Sequence, residues 1–339
     1  METQVAYDKA SKEFVINSPT VLSQKYWISN GFKHANHALV FGQTIVNDKN
    51  EGVNAFLVPV RDNNMQAMPG VTINDMGVKF GVNGVDNAAL KFKNVRIPRV
   101  NMMNKHADVS EDGVFSSEVK NIQSRFFKVT ERLLSGRLCI AAFCSGISRC
   151  SLYIAVKYAQ SRLSIGPKGE STVPIFEYQL QKNALMPLLA RTLAMQCMYN
   201  WAKDVFANPV GHEHDLLSIC CITKTMYGWT AERVASVCRE RCGGMGYLAH
   251  SRFGEYLAVA HAALTAEGDN RVLMVKIVKD MILNVTKLGH KLPEPSMNVV
   301  AQIGTMMDVT QIESLTDLLI FREKLLFTRL VARMAALGK

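Results

Sequence analysis

The sequence has no uninterrupted apolar run long enough to cross a membrane. Its longest nearly apolar run, Leu138 to Ile147, is interrupted by Ser145 and Gly146 and is about half of the roughly 20 residues that a spanning helix needs. No membrane span is expected. A basic-then-apolar leader is missing too, because Met1 to Phe14 is mostly polar and already alternates like a strand at Val5 and Tyr7, so secretion is not expected. The eight cysteines do not have the pattern of a short disulfide scaffold. Cys139, Cys144, Cys150, Cys197, Cys220 and Cys221 fall in apolar helical stretches and read as small core residues in a reducing setting. Cys238 and Cys242 are spaced C-x3-C with no second pair, and the histidines are scattered, so no structural zinc is expected. There is no G-x-S-x-G elbow for a serine hydrolase. Strand-borne aromatics of the RNA-recognition type, a helix-turn-helix and a basic tail are all lacking, which leaves nucleic-acid binding without support.

What is present is a 339-residue chain with 39 Lys and Arg against 29 Asp and Glu, a formal charge of +10. That excess suits an anionic partner without naming one. Hydrophobic residues make up 48%, enough to build sizeable cores in about two domains.

The first third is β-rich, with runs at Glu13 to Asn17, Ala38 to Val46, Ala55 to Val60, Val71 to Ile73 and Ala89 to Val95. Turn residues stand between them at Ser18-Pro19, Asn47-Asp48, Asn50 to Gly52, Met68 to Gly70 and Gly81 to Asn87. A sandwich or barrel-like β domain is expected. From Val119 to Leu283 the apolar residues recur at three and four, as in Leu216, Ile219, Thr223, Met226, Thr230 and Val234, which predicts a bundle of about four long helices. Their expected spans are Val119 to Ser161, Pro174 to Phe206, His214 to Arg241 and Asn270 to Lys287, with loops at Ile165 to Val173 and Pro209 to Gly211. Pro174 suits a first helical turn, and Pro187 should kink the second helix. Pro293 and Pro295 stop the last of these helices. The stretch Leu315 to Leu337 then forms one more amphipathic helix with nothing obvious to pack on. Together with a strand-like segment directly at Met1, this gives the expectation of a chain cut from something longer. The fold class is multi-domain α and β, a β-sandwich or barrel followed by an antiparallel helical bundle. The expected domains are 1–112, the β domain; 113–290, the helical bundle; and 291–339, the start of a further helical domain.

Three constellations can carry chemistry. In Thr265-Ala266-Glu267-Gly268-Asp269-Asn270-Arg271 a carboxylate sits on a tight turn that feeds a helix capped by Asp269 or Asn270. The mostly apolar stretch Tyr256 to Ala266 before it suggests partial desolvation, which would strengthen Glu267 as a base, although a capping acid on a solvated turn fits the same spacing. Cys242-Gly243-Gly244-Met245-Gly246-Tyr247 ends the third helix; its glycines let a backbone approach a ring or a pyrophosphate, and they equally serve as a helix stop. Lys25-Tyr26-Trp27-Ile28-Ser29-Asn30-Gly31 can offer ring faces and backbone amides to a flat cofactor, or can be a hairpin with a core Trp. His34 and His37 lack a third ligand nearby and read as a solvated loop.

In this order the pieces resemble the acyl-CoA oxidases, flavoenzymes related to the acyl-CoA dehydrogenases. The resemblance begins at Tyr7-Asp8 and Glu13 to Thr20, and continues through Lys25-Tyr26-Trp27, Asn36-His37-Ala38, Phe56 to Arg61, Pro69-Gly70-Val71 and Gly77 to Gly81. Further on it rests on Asp86-Asn87, Arg96 to Arg99, Gln179, Pro187 to Ala190, Cys242 to Tyr247 and Glu267-Gly268-Asp269-Asn270, and so spans nearly all of Met1 to Leu283. It implies an acyl-CoA dehydrogenase-like fold used as a homodimer, of which this chain has the β domain, the first C-terminal helical domain and the opening of the second.

The implied reaction is FAD-dependent, taking a fatty acyl-CoA and O2 to a trans-2-enoyl-CoA and hydrogen peroxide, with Glu267 as the base. Asp269-Asn270 favours an oxidase where a dehydrogenase would typically show E-G-T. A dehydrogenase with an electron-transfer partner and a non-catalytic oxidase-like remnant are the alternatives. For the cofactor, the resemblance implies Ser29 and Asn30 where the family has a Gly-Gly turn, Arg162 and Gln179 reaching the FAD of the partner subunit, and Gly244 close to the ring. Met245 stands where the family often has His, and the family's flavin-contacting Thr lies in a segment preceding the β domain. The resemblance also implies the peroxisome, though Leu337-Gly338-Lys339 is not an S-K-L address.

Overall fold

The computed structural model describes residues 2–287, 289, 291–296 and 311–337. The terminal Gly338-Lys339 and part of the expected third domain lie outside the described residues. The chain divides into two compact units, residues 1–270 and 271–339.

The first unit opens with β1 (Gln4–Asp8), β2 (Glu13–Asn17), β3 (Lys25–Ser29), β4 (His37–Val46), β5 (Lys49–Pro59), β6 (Val71–Asp75), β7 (Asn87–Phe92) and β8 (Val95–Pro98). Burial alternates along β2 and the second half of β4, the period-2 pattern of a strand with one face inward. A five-stranded sheet runs in the order β5-β4-β1-β2-β8, antiparallel apart from the parallel pair β1 and β4. A second sheet has the order β3-β7-β6. Both contribute to one core, in which Phe14, Ile16, Val40 and Phe56 from the first meet Val71, Leu90 and Phe92 from the second.

Sequence and structure differ locally here. The turn placed at Asn50 to Gly52 is strand, because left-handed Asn47 and Asp48 (φ 50° and 61°) close a two-residue hairpin from which β5 starts at once. The expected strand Ala89 to Val95 is two strands, separated by Lys93 and a left-handed Asn94 (φ 51°). The 112/113 boundary falls in the turn between the short strands β9 (Asp108–Val109) and β10 (Phe115–Ser116).

The helical part contains α1 (Ile122–Thr130), α2 (Leu134–Ser161), α3 (Gln179–Ala207), α4 (Leu216–Arg241) and α5 (Phe253–Thr265). The single helix expected from Val119 to Ser161 is therefore α1 and α2, joined by a 3-10 turn at Glu131–Leu133. Residues Ile165 to Val173 are not a loop throughout, since β11 (Leu163–Ile165) pairs with β12 (Ser171–Pro174). Pro174 closes that hairpin and is followed by a 3-10 turn at Ile175–Glu177, so α3 begins only at Gln179. Pro187 stands inside α3, which continues through it. α5 is the fourth bundle helix of this unit; its run of Ala and Leu carries too little polar contrast to show as a periodic stripe.

α2 is long and apolar enough to cross a membrane by length and composition. In this fold it packs against α3, α4 and α5. A seam of small residues, Ala141, Cys144, Ser148, Ala155 and Ala159, is buried toward Ala231, Ala235 and Cys238 of α4. Small side chains at three- and four-residue spacing let the two backbones approach closely. Cys144, Cys220 and Cys221 are buried as expected, and Cys238 and Cys242 are buried too, whereas Cys139, Cys150 and Cys197, expected in the core, are exposed.

In the second unit, α6 (Asn270–Lys287) has the expected bounds, and α7 (Ile312–Ala336) covers the last amphipathic stretch with none of its residues buried.

Candidate active site

Glu267 lies on the turn between α5 and α6. Helix α5 stops at Thr265 because Ala266 is extended (φ −62°, ψ 147°), and Glu267 and Gly268 follow with φ of 55° and 107°. Gly268 adopts its angle freely, whereas a left-handed Glu costs on the order of 1 kcal/mol, so the surroundings must hold it there. Asn270 then starts α6, which leaves Asp269 just before the helix.

The Glu267 carboxylate rests on Gly136 in the first turn of α2. A Cβ added at Gly136 would stand 2.6 Å from Glu267 Cδ, 2.7 Å from Oε2 and 2.9 Å from Oε1. Only glycine leaves that space. Two cations hold the backbone of the turn: Arg137 Nε donates to the Glu267 carbonyl at 3.3 Å, and Lys224 Nζ, from α4, donates to the Gly268 carbonyl at 2.5 Å. Lys224 also donates to Asn270 Oδ1 at 2.8 Å and to the Leu264 carbonyl at 3.4 Å. Its side chain is fully buried, and burial lowers its pKa to about 8. Glu267 itself is exposed, which corrects the expected desolvation. The apolar stretch before it is helix α5, whose Ala258, Ala260 and Ala263 are buried in the bundle, and the left-handed turn carries the carboxylate out of that packing.

Ser29 ends β3 and Asn30 opens the turn after it. The pairing of β3 with β7 is irregular between Lys25 and Ile28, and Trp27 there is left-handed (φ 59°). Trp27 is 58% and Tyr26 63% exposed, so the reading as a hairpin with a core Trp does not hold. Asn30, also left-handed, donates its amide to the Asp86 carbonyl at 2.9 Å. The Asp86 carboxylate accepts the amides of Phe32 at 2.7 Å and Lys33 at 2.9 Å, and pairs with His34 Nδ1 at 2.6 Å. His34 and His37 are exposed, as expected of a solvated loop, and His34 in addition pairs with Asp86. Burial pushes the Asp86 carboxyl up, but the Lys33 amide, His34 and the Phe32 amide together hold it below the ordinary value. The segment before Asp86 rests on α5: a Cβ at Gly81 would come within 2.6 Å of Ala258 Cβ, and the Phe80 ring stands edge-on to His261, with centroids 6.2 Å apart. The segment that ends at Asp86 thus meets α5 at Phe80 and Gly81 and the Ser29-Asn30 turn at Asp86.

Arg162 caps the C-terminal end of α2 and lines an open cleft of about 520 Å³ with Ser164, Gln181, Glu240, Arg241 and Gly243. Gln181 Nε2 donates to the Arg241 carbonyl at 3.1 Å, and Arg241 Nη2 pairs with Glu240 Oε1 at 2.6 Å. The Arg241 Nε is buried without a hydrogen-bond partner among the described residues. Gln179, the first residue of α3, is exposed and bonds Asn183 Oδ1 at 3.2 Å. Gly244 is exposed on the 3-10 turn Gly243–Tyr247 that stops α4, with open space where a side chain would be. Arg162 and Gly243 share this cleft, Gly244 follows Gly243 on the same turn, and Gln179 lies at the same helix start as Gln181. Among the described residues no three His, Cys, Asp or Glu side chains are grouped to hold a metal.

Sequence reasoning missed Gly136, Lys224 and Arg241, and took Asp86 only as part of the resemblance. Lys224 left one signal, a lone lysine among Cys220, Cys221, Tyr227 and Ala231 on the inner face of α4. Gly136 left none, because its partner is 131 positions away.

Residues 131–282 match the family model described as the acyl-CoA oxidase C-alpha1 domain. The peroxisomal acyl-coenzyme A oxidase 2 of Arabidopsis thaliana is 36% identical over 294 residues, covering 83% of this chain and 42% of that protein. The structure of Arabidopsis thaliana acyl-CoA oxidase 1 superposes with a TM-score of 0.76 at 29% identity, covering 89% of this chain and 47% of its own. Acyl-CoA oxidase-1 of Caenorhabditis elegans, complexed with FAD and ATP, gives 0.77 at 27% identity, covering 91% and 46%. The chain spans about half the length of the curated relatives it matches.

Proposed function

Because the chain belongs to the acyl-CoA oxidase family, we propose that it supplies the base and part of the cofactor site of a peroxisomal FAD-dependent oxidase of fatty-acid β-oxidation. The reaction is the oxidation of a fatty acyl-CoA by O2 to a trans-2-enoyl-CoA and hydrogen peroxide. The observation that carries this reading is the Glu267 carboxylate, exposed on a turn whose backbone is clamped by Arg137 and Lys224 and whose seat only Gly136 permits.

The residues present fit a flavin dinucleotide. Trp27 and Tyr26 show open ring faces beside the Ser29-Asn30 turn, and Gly243-Gly244 leaves backbone unobstructed. The cleft lined by Arg162 and Arg241 carries two guanidinium groups, the chemistry suited to phosphate oxygens. Ser29 and Asn30 would face the ring system, while Arg162, Gln179 and Gly244 would hold the cofactor across a homodimer. When bound, FAD supplies the acceptor for the β hydride and passes the electrons to O2. Glu267 takes the proton from the α carbon, and its exposed position lets the thioester reach it. An acyl chain laid over the turn would exclude water there and strengthen the carboxylate as a base. The +10 charge is matched to the phosphates of CoA and FAD.

The test is to express the chain with FAD, add palmitoyl-CoA and follow peroxide. Glu267→Gln should lower turnover by about 100-fold or more, the usual scale of a positioned base. Equal activity of that variant would remove Glu267 from the role.

A further inference from the structure

We propose that Lys224 is a positioning residue for the base: from helix α4 its ammonium pins the Gly268 carbonyl and the Asn270 side chain, and so fixes Glu267 in its left-handed conformation over Gly136. The proposal rests on the reading of Glu267 as the base.

A fully buried lysine is rare without a carboxylate partner. Here the three oxygens that accept from Nζ, those of Leu264, Gly268 and Asn270, are all uncharged, and all belong to the segment that carries Glu267. An apolar residue would fill the space at lower cost, so the structure retains a buried cation for what it holds. The hold is built from α4 on two levels. Asn270 Nδ2 donates to the Thr225 carbonyl at 3.2 Å, and Gly228 leaves room for that amide, since a Cβ there would stand 3.0 Å from Nδ2. Lys224, Thr225 and Gly228 form one seat for Asn270. With Arg137 on the Glu267 carbonyl, consecutive carbonyls of the turn are each taken by a cation. Release of either lets Glu267 relax toward an ordinary backbone conformation and lifts its carboxylate from Gly136.

The anchor is sensitive to protonation. An ammonium has three N–H donors for three acceptors, whereas the neutral amine has two. The titratable and charged groups acting on Lys224 are Cys144 and Arg137 on α2 and Asp269 and Glu267 on the turn, and burial is the largest influence on it. While Lys224 stays buried, loss of this proton removes one of the three bonds, so the turn should loosen locally as the pH rises through about 8, even as the fold as a whole gains against an unfolded chain that still holds the proton.

Hydrogen exchange of the amides at 267–270, corrected for the intrinsic rate, tests this without turnover. The wild-type turn should exchange more than tenfold faster at pH 9 than at pH 7, and Lys224→Met should show the faster exchange at both. Asn270→Asp gives up the donation to Thr225 but keeps the ammonium and gives it a charged partner, so the alkaline loosening should move up by a pH unit or more; this variant serves where Lys224→Met does not fold. In the peroxide assay, Lys224→Met should lose more than tenfold in kcat with KM for palmitoyl-CoA within twofold. Unchanged exchange in Lys224→Met, or an alkaline transition unmoved in Asn270→Asp, overturns the proposal. So does full turnover of Lys224→Met where Glu267→Gln is inactive. If wild type makes no peroxide, the oxidase reading falls, and the exchange results alone decide the anchor.

Discussion

The carboxylate of Glu267 is seated against the α-carbon of Gly136, so closely that an added methyl group would lie 2.6 Å from Glu267 Cδ. The atoms in conflict are the far end of a flexible side chain, so Gly136→Ala displaces the carboxylate without disturbing the backbone. Alanine also favours helix over glycine by up to about 1 kcal/mol. The expected result is a melting temperature equal to or above wild type with kcat for palmitoyl-CoA reduced at least tenfold. Calorimetry and the peroxide assay on one preparation check both halves.

Buried Lys224, half-buried Lys25 and the buried thiols set opposite slopes on stability at alkaline pH. Lys224 and Lys25 are lowered by burial to about 8 from 10.5, so between these values the unfolded chain holds protons that the folded chain has released. Stability therefore rises as the pH passes 8. Burial raises Cys144 and Cys238 to about 12, and Cys220 and Cys242 to about 11, from 9.0. Above pH 9 the unfolded chain loses these protons first, and the four thiols outweigh the two lysines. The urea midpoint should climb from pH 8, peak near pH 9 and fall beyond it. Lys224→Met should climb less steeply.

Exposure divides the cysteines. Cys139, Cys150 and Cys197 are exposed, and the other five are buried. Iodoacetamide at pH 8 should label these three in the native protein within minutes and the others only in denaturant, because alkylation needs an accessible thiolate. Peptide mass spectrometry reads the sites, and early labelling of Cys144 or Cys238 would contradict the packing of α2 on α4.

The strands and long helices were legible because their signals are local: the alternation of Glu13–Asn17, the three-four spacing of Leu216–Arg241, and the turn residues Asn47 and Asp48. Helix α5 was not, since Ala258, Ala260 and Ala263 bury small side chains that give no polar contrast. In the candidate site, the tight turn at Glu267 was legible by its motif, but the exposure of the carboxylate was not, because the conformation that turns it outward depends on Gly136, Arg137 and Lys224, which are distant in sequence. Trp27 was ambiguous for a related reason: the irregular pairing of β3 with β7, absent from any local pattern, turns it outward.

Asp86 holds the Ser29-Asn30 turn, and its removal should loosen that turn in a measurable way. Its carboxylate holds the Phe32 and Lys33 amides and His34, while its carbonyl takes the Asn30 amide. Asp86→Ala deletes the carboxylate contacts and leaves two amides to find water, at about 1–2 kcal/mol. The Ser29-Asn30 turn should then lose order and FAD retention should fall, read as flavin absorbance per chain after gel filtration. The wild type should show the same loss in acid. The Asp86 carboxyl is held below its ordinary value of 3.8, so its contribution is complete above that pH and disappears as the pH falls through the lowered value. Asp86→Asn retains one acceptor oxygen for the amides but no charge for His34. Its FAD retention should lie between wild type and Asp86→Ala, and a value equal to Asp86→Ala would put the whole effect on the charge.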